Sequence, residues 1–235
     1  LTDRELKMKY SSVKKAVFIN RPNRFVAHVM LDGREEIVHV KNTGRCKEIL
    51  KAGATVFLEK SANKGRKTGY SLISSYKGDV LINIDSQVPN AVIFDAIKEK
   101  KLKELNNVDV LRREVTYGNS RFDIYFESPP DKGFIEVKGV TLEKNGVAMF
   151  PDAPTERGTK HIYEMIKAVE DGYKGYVIFV IQMKGIDYFT PNEAMDKDFA
   201  EALRTAEQKG VTILAYDCHV TEDEIALGDR VDVAL

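Results

Sequence analysis

The sequence predicts an all-β N-terminal module of short strands, followed by an α/β domain built around a mixed sheet. Residues 13–84 hold five or six short apolar or alternating segments and a single short helical stretch. Residues 91–218 instead mix helical periodicity with strand patterns, the order expected of an α/β layer structure. Charge divides at the same place. Up to Asp85 the chain carries 17 Lys/Arg against 9 Asp/Glu, and the following 150 residues carry 19 against 27, although the whole sums to zero. A basic module beside an acidic one suggests that the first meets a polyanion and that the second spends carboxylates on a metal site, with complementary packing of two oppositely charged domains as the alternative.

In the first module VKKAVFI (13–19) and FVAHVML (25–31) read as strands, a turn follows at Asp32 and Gly33, and EIVHV (36–40) is the next strand. NTGRCKEIL (42–50) suggests a loop and short helix, and AGATVFLEK (52–60) a strand entered through Gly53. SANKGRKTGY (61–70) is a polar loop, and SLISSYKGDVLINI (71–84) a hairpin turning at Lys77 and Gly78. So many short strands in so little chain fit a small closed barrel of the oligonucleotide-binding (OB) type. Loop and turn positions would carry Arg21, Arg24, Arg45 and Lys47, and also Lys64, Arg66 and Lys67, toward phosphate. Phe25, Tyr70 and Tyr76 offer rings for stacking on bases, with barrel core as the alternative for each; His28 and His39 lack a paired ligand signal and read as structural or surface residues.

The boundary is expected at DSQVPN (85–90), giving domains 1–85 and 86–235. The spacing predicts a helix over 91–105 capped by Asn90, then a strand over 108–118. SRFDIYF (120–126) and GFIEVKG (133–139) alternate apolar and polar residues around the turn formers SPPD, an antiparallel hairpin with Phe122, Ile124 and Phe126 on one face. Residues 147–172 contain a loop and a helix capped by Thr155 or Thr159 and closed by Gly172. YKGYVIFVIQM (173–183) suits a buried central strand, and a loop, a helix over 196–210 and a strand over 211–218 complete the pattern.

The hairpin carries the chemistry. Hydrolysis of a phosphodiester needs a nucleophile delivered past a shielding anion and a stabilised leaving group, demands that Mg2+ or Mn2+ held by carboxylates can meet. Asp123 and Glu136 on neighbouring strands are the expected metal ligands, with the Val137 backbone carbonyl a further one and Glu114 a third carboxylate or an orienter of water. Lys138, two residues beyond Glu136 and on its face, would touch the attacking water or neutralise phosphate charge. Exposed Glu and Lys on short strands also form plain cross-strand ion pairs, so these residue types alone do not decide the matter.

FPDAPTERGTKH (150–161) stiffens with two prolines before its helix and presents Asp152, Thr155, Arg157, Lys160 and His161 near the hairpin. Arg157 or Lys160 would bind phosphate, helped by the free amides of a helix start. His161 is a candidate proton shuttle or simply a histidine bonded to a carboxylate, and Glu164 a candidate to orient it.

Two cysteines 172 positions apart, Cys46 and Cys218, indicate neither a zinc site nor a disulfide framework, and point to a reduced, cytoplasmic setting. LTDRELKMKYSS is too charged for a signal peptide, no apolar run is long enough to span a membrane, and a start at Leu1 leaves room for a short preceding segment. The expected partner is a nucleic acid. A homodimer would bring two sites to two strands.

The constellation Asp123, Glu136-Val137-Lys138, with Glu114 before it, resembles the metal-dependent nuclease superfamily named for its Pro-Asp, Asp/Glu-x-Lys signature; here Phe122, not proline, precedes the first acid. Over nearly the full length the chain is similar to the sugar fermentation stimulation protein family, SfsA, through HVKNTGR (39–45), DSQVPN, REVTYGNSRFDIYF (113–126), IEVKGVTL (135–142), MFPDAPTERGTKHIYEM (149–165) and VIFVIQM (177–183). The resemblance implies an OB-like barrel, a restriction-endonuclease-like C-terminal domain, DNA binding and a link to the regulation of sugar use in bacteria. It leaves two readings: a DNA-binding nuclease, or a non-catalytic DNA-binding regulator that keeps the fold. A scaffold without a nucleic-acid partner is the remaining alternative.

Overall fold

A computed structural model describes residues 8–42, 44–63 and 65–235. Its elements, in chain order, are β1 (Met8–Lys9), β2 (Val13–Asn23), β3 (Val26–Leu31), β4 (Arg34–Val40), β5 (Thr55–Lys60), β6 (Tyr70–Lys77), β7 (Val80–Asn83) and α1 (Val88–Lys98). After a 3-10 turn over Lys103–Leu105 come β8 (Val110–Tyr117), β9 (Ser120–Ser128), β10 (Asp131–Val140), β11 (Leu142–Lys144), β12 (Val147–Phe150) and α2 (Glu156–Glu170). The chain then runs through β13 (Lys174–Ile181), β14 (Tyr188–Pro191), α3 (Lys197–Gln208), β15 (Thr212–Val220) and β16 (Glu224–Val233).

The first sheet closes on itself. β2, β3 and β4 form an antiparallel meander, β4 pairs in parallel with β6, β6 antiparallel with β5, and β5 antiparallel with β2. Five strands thus make a barrel, with β7 appended to β6, and alternate residues such as Phe18, Val29, Val38, Leu58 and Leu72 fill it. Phe57 and Ile73 point outward and are buried all the same, because they join the core beneath α1. The helix expected within 42–50 is absent: residues 47–49 make only turns. The carbonyls of Asn42, Gly44 and Arg45 that would start it accept hydrogen bonds from the Arg21 guanidinium instead.

The second sheet runs β11, β12, β14, β16, β15, β13, β10, β9, β8, with β1 added to β16. Met8 lies opposite Ile225 and Lys9 opposite Glu224, so these two residues belong to this sheet and not to the barrel. β10, β13 and β15 are parallel neighbours at its centre, and their runs of Val, Ile, Phe and Leu are buried on both faces. α1 covers one face; α2 and α3 cover the other, in a core continuous with that of the barrel. The sequence pattern missed β11, β12, β14 and β16, which are short or interrupted by polar residues and Gly228 and owe their strand form to pairing with neighbours.

α1 starts earlier and ends earlier than its periodicity suggests. Gln87 is the N-cap and Pro89 sits in the first turn, where a missing N–H costs nothing. Asn90 is therefore inside the helix and not its cap. The helix stops at Lys98 and the chain turns through a left-handed Lys100.

Candidate functional site

The hairpin forms as expected, and it opens where the chemistry is expected. β9 and β10 pair from Ser128 opposite Asp131 to Ile124 opposite Ile135, and no further. On the other side of β9 the ladder with β8 skips a pair: Arg113 lies opposite Ile124 and Val115 opposite Phe122, leaving Glu114 and Asp123 unbridged, with Glu114 in a left-handed conformation at φ 55°. A Cβ costs roughly 1–2 kcal/mol in that region, through its approach to the carbonyl oxygen. Strict alternation breaks here too. Phe122 packs with Tyr117, Phe134 and His161 beneath α2, whereas Ile124 and Phe126 lie in the core beneath α1, so the single apolar face anticipated for these three residues is divided.

Asp123 takes over where the β9 backbone leaves. Its Oδ2 accepts the Val137 N–H at 2.8 Å, and its Oδ1 accepts from Asn90 Nδ2 at 2.7 Å. Because the N–H and C=O of a strand residue point to the same edge, the Val137 carbonyl faces the same gap. Glu136, one residue earlier and 2% exposed, turns the other way, toward α2. Its Oε1 accepts from Lys138 Nζ at 2.5 Å and lies 2.7 Å from His161 Nδ1. Its Oε2 is buried and has no hydrogen-bond partner. α2 delivers His161 because Thr155 caps the helix, accepting the Gly158 N–H at 3.1 Å, which places the histidine in the second turn and over the sheet.

The two carboxylates are pushed in opposite directions. Burial, and then the neighbouring Glu136 charge, push the Asp123 pKa above its ordinary value. Burial also opposes ionisation of Glu136, but the Lys138 ammonium and the His161 ring outweigh it and hold this carboxyl below the usual range. Glu136 is accordingly an anion with one oxygen spoken for and one left over. A buried oxygen without a partner is expensive, and Glu136 Oε2, the Asp123 carboxylate and the Val137 carbonyl are the hard oxygens here that would hold a cation.

Asp123, Glu136, Val137 and Lys138 line one cleft of about 310 Å³ together with Glu114, Thr155, Arg157 and His161. The hairpin and the loop-helix segment thus come together. Ser86, Asn90 and Arg121 also line it; Asn90 and Ser86 were hidden by their helix-start context, and Arg121 by its place on a strand. Glu114 stands at the lip, 3.5 Å from Arg121 and exposed, and among the described residues no three His, Cys, Asp or Glu side chains are grouped to hold a metal ion. Glu114 is therefore not grouped with Asp123 and Glu136, which leaves two carboxylates and a carbonyl as the candidate donors.

Other expected residues sit elsewhere. Glu164 does not orient His161; its Oε1 accepts from Lys167 at 3.0 Å, and Glu136 holds the histidine. Asp152 accepts the Arg45 N–H at 3.0 Å and fastens the loop to the barrel. Lys160 reaches the Asn119 carbonyl at 3.3 Å, while Arg157 is exposed in the cleft wall. Arg21 is not free for phosphate: four carbonyls, of Arg24, Asn42, Gly44 and Arg45, take up its guanidinium. Arg24, Arg45 and Lys47 are exposed and line a second cleft. Arg66 donates to Ser71 Oγ and, like the exposed Lys67, lies in the loop between β5 and β6; Lys64 is outside the described residues. Tyr76 packs edge-on against Phe57 and Tyr70 against the barrel core, but Phe25 is 53% exposed. Cys46 and Cys218 are free and buried, and no helix among the described residues is long and apolar enough to cross a membrane.

An OB-type barrel joined to an α/β domain that carries a Glu-x-Lys strand, with an acid on the strand beside it, defines a two-module class of protein. The two modules correspond to two family profiles, described as SfsA N-terminal OB domain over residues 19–84 and Sugar fermentation stimulation protein RE domain over residues 87–224. The chain belongs to the sugar fermentation stimulation protein family. It is 58% identical to the sugar fermentation stimulation protein homolog of Alkaliphilus oremlandii (strain OhILAs) across 96% of this chain and 98% of that protein. The homolog of Ruminiclostridium cellulolyticum is 54% identical across 97% of this chain and 100% of that one. A solved structure, that of Pyrococcus furiosus SfsA in complex with Ca2+, is similar with a TM-score of 0.90 and 30% identity, covering 98% of this chain and 100% of the other.

Proposed function

We propose that this protein binds DNA and that the cleft between β9, β10 and α2 is a Mg2+- or Mn2+-dependent site for phosphodiester hydrolysis, in a domain of restriction-endonuclease type. The observation that carries this reading is the buried, unpartnered Oε2 of an ionised Glu136 beside an Asp123 whose charge is disfavoured. A stability-driven design would have paired or removed both. The donors are hard oxygens suited to such a cation, and the relative from Pyrococcus furiosus was solved with Ca2+, a cation of the same ligand preference.

Asp123, Glu136 and the Val137 carbonyl would hold the metal, and Asn90 and the Val137 N–H fix the Asp123 carboxylate in place. When bound, the ion would draw charge from a phosphate oxygen and acidify a water. Lys138 neutralises charge developing on the phosphate, and His161, held through Nδ1 by Glu136, is positioned to pass a proton at its other ring nitrogen. Arg157 in the wall takes an adjacent phosphate.

Cleavage of single-stranded, double-stranded and branched DNA with Mg2+ or Mn2+ tests the proposal, run beside Asp123→Asn and Lys138→Ala. Loss of product in Asp123→Asn and a fall of roughly 10²–10³-fold in Lys138→Ala are expected. No divalent binding by the wild type, even with DNA present, would sink it. A second reading, a DNA-binding regulator of sugar use without turnover, is favoured by one contact: Lys138 is already bonded to Glu136 at 2.5 Å and must be released to act on substrate.

A further inference from the structure

The catalytic cleft does not end at its own walls. Ser86 and Thr155 also line a cleft of about 400 Å³ between the barrel and the second sheet, floored by Gly139 and Gln182. Arg24 and Gly44 are shared in turn between that middle cleft and the barrel-side cleft of about 670 Å³, where Arg45 and Lys47 lie. Three clefts therefore share walls in sequence, from the barrel tip to Glu136. Clefts of roughly 300–1,000 Å³ hold one drug-sized group each, so three of them in sequence suit successive nucleotides of one strand.

The entrance has a second feature aimed at the same ligand. Phe25 at the β2–β3 tip is 53% exposed. Its backbone is nonetheless fixed, since its N–H donates to Asn23 Oδ1 at 2.9 Å and its carbonyl accepts the Val40 N–H at 2.8 Å. A rigid backbone with a bare ring is a stacking platform. Arg21, by gripping the carbonyls of Arg24, Asn42, Gly44 and Arg45, positions the tip against the 42–45 loop, so that Arg24, Arg45 and Lys47 line one cleft, with Phe25 next to Arg24 in the chain. Among the described residues the only carboxylate lining the middle cleft, Asp152, is engaged by the Arg45 N–H.

We propose that the substrate is a single strand of DNA, laid over Phe25 and the Arg24, Arg45 and Lys47 cluster and led through the middle cleft to the Glu136 site. The inference rests on the proposed hydrolytic reading only for what happens at the inner end; the binding track stands without it.

Fluorescence anisotropy of a labelled oligothymidylate of about 16 nucleotides, the upper site size of one such barrel, and of the matching duplex, both in EDTA, tests the track. The single strand is expected to bind about tenfold tighter or more. R24E/K47E should cost the single strand more than about tenfold and lower its log–log salt slope by about 1.4, while F25A should cost roughly tenfold with the slope unchanged. Both variants should keep the wild-type melting temperature. Equal affinity for duplex and single strand, indifference of the single strand to both variants, or tighter binding of an oligouridylate of the same length run in the same assay would overturn the proposal. Intact single-strand binding without cleavage in Mg2+ or Mn2+ would remove the hydrolytic reading and leave the track. Cleavage of duplex and single strand alike, insensitive to R24E/K47E, would do the reverse.

Discussion

Between the barrel and the second sheet, Asn83, Asp85 and Gln182 are each 1% exposed, as deeply buried as Glu136 in the cleft, yet the two clusters are treated in opposite ways. At the interface the polar groups are matched. Asp85 accepts from Lys41 and from the Gln87 N–H; Asn83 accepts from Gln182 and from the Asp85 N–H and donates to the Tyr10 hydroxyl. In the cleft one carboxylate oxygen has no partner, and a second carboxylate is pushed toward protonation. The interface cluster is what a protein builds to hold two modules in register. The cleft is what it leaves for something else to complete.

The largest effect should come from breaking the matched cluster. Asp85→Ala strips Lys41 of its closer carboxylate, leaving Glu59 at 3.4 Å, and is expected to cost roughly 2–4 kcal/mol in urea unfolding. Next, Ca2+ should stabilise the wild type by about 2.7 kcal/mol at a hundredfold excess over Kd, and E136Q by far less. Equal stabilisation of both would move the cation elsewhere.

Asp123→Asn should raise the stability of the metal-free protein by about 0.5–2 kcal/mol near neutral pH, since Asn keeps a bond to the Val137 N–H while Asn90 flips its amide. The sign follows from the raised pKa. Between the ordinary Asp value of 3.8 and its higher folded value, the native state holds the extra proton, so wild-type stability falls as pH rises through that window. The gap between Asn and wild type should therefore be full above the window and close as pH drops toward 3.8. A gap that is constant with pH would contradict the assigned burial penalty. The smallest change in stability, within about 0.5 kcal/mol, is expected for Arg157→Ala, whose side chain is exposed, while DNA affinity should fall.

The barrel, the hairpin and the central strands were readable because their apolar residues recur with period two or in unbroken runs. The site was readable as residue types: Asp123, Glu136, Lys138 and His161 do line one cleft. What the pattern did not hold was the parting of the strands. A ladder that stops at Ile124, and a Phe122 packed apart from Ile124, depend on what α1 and α2 offer on each face, which local periodicity does not encode. Arg21 illustrates the same limit. Its charge and loop position suggested phosphate, but a guanidinium with five donors can equally serve a cluster of carbonyls, and only the folded chain decides between them.

The pairing of Met8 and Lys9 with Ile225 and Glu224, reinforced by the Tyr10 N–H on the Asp223 carbonyl at 2.8 Å, has a consequence for how the molecule comes into being. During vectorial synthesis the barrel, built from residues 13 to 83, can close while the rest of the chain is still being made. Residues 8–10 cannot dock until β16 emerges, some 140 residues after the barrel is complete. Residues 8–10 thus dock long after the barrel that follows them can close, and a nascent chain arrested before residue 223 would hold a closed barrel beside an unsealed sheet.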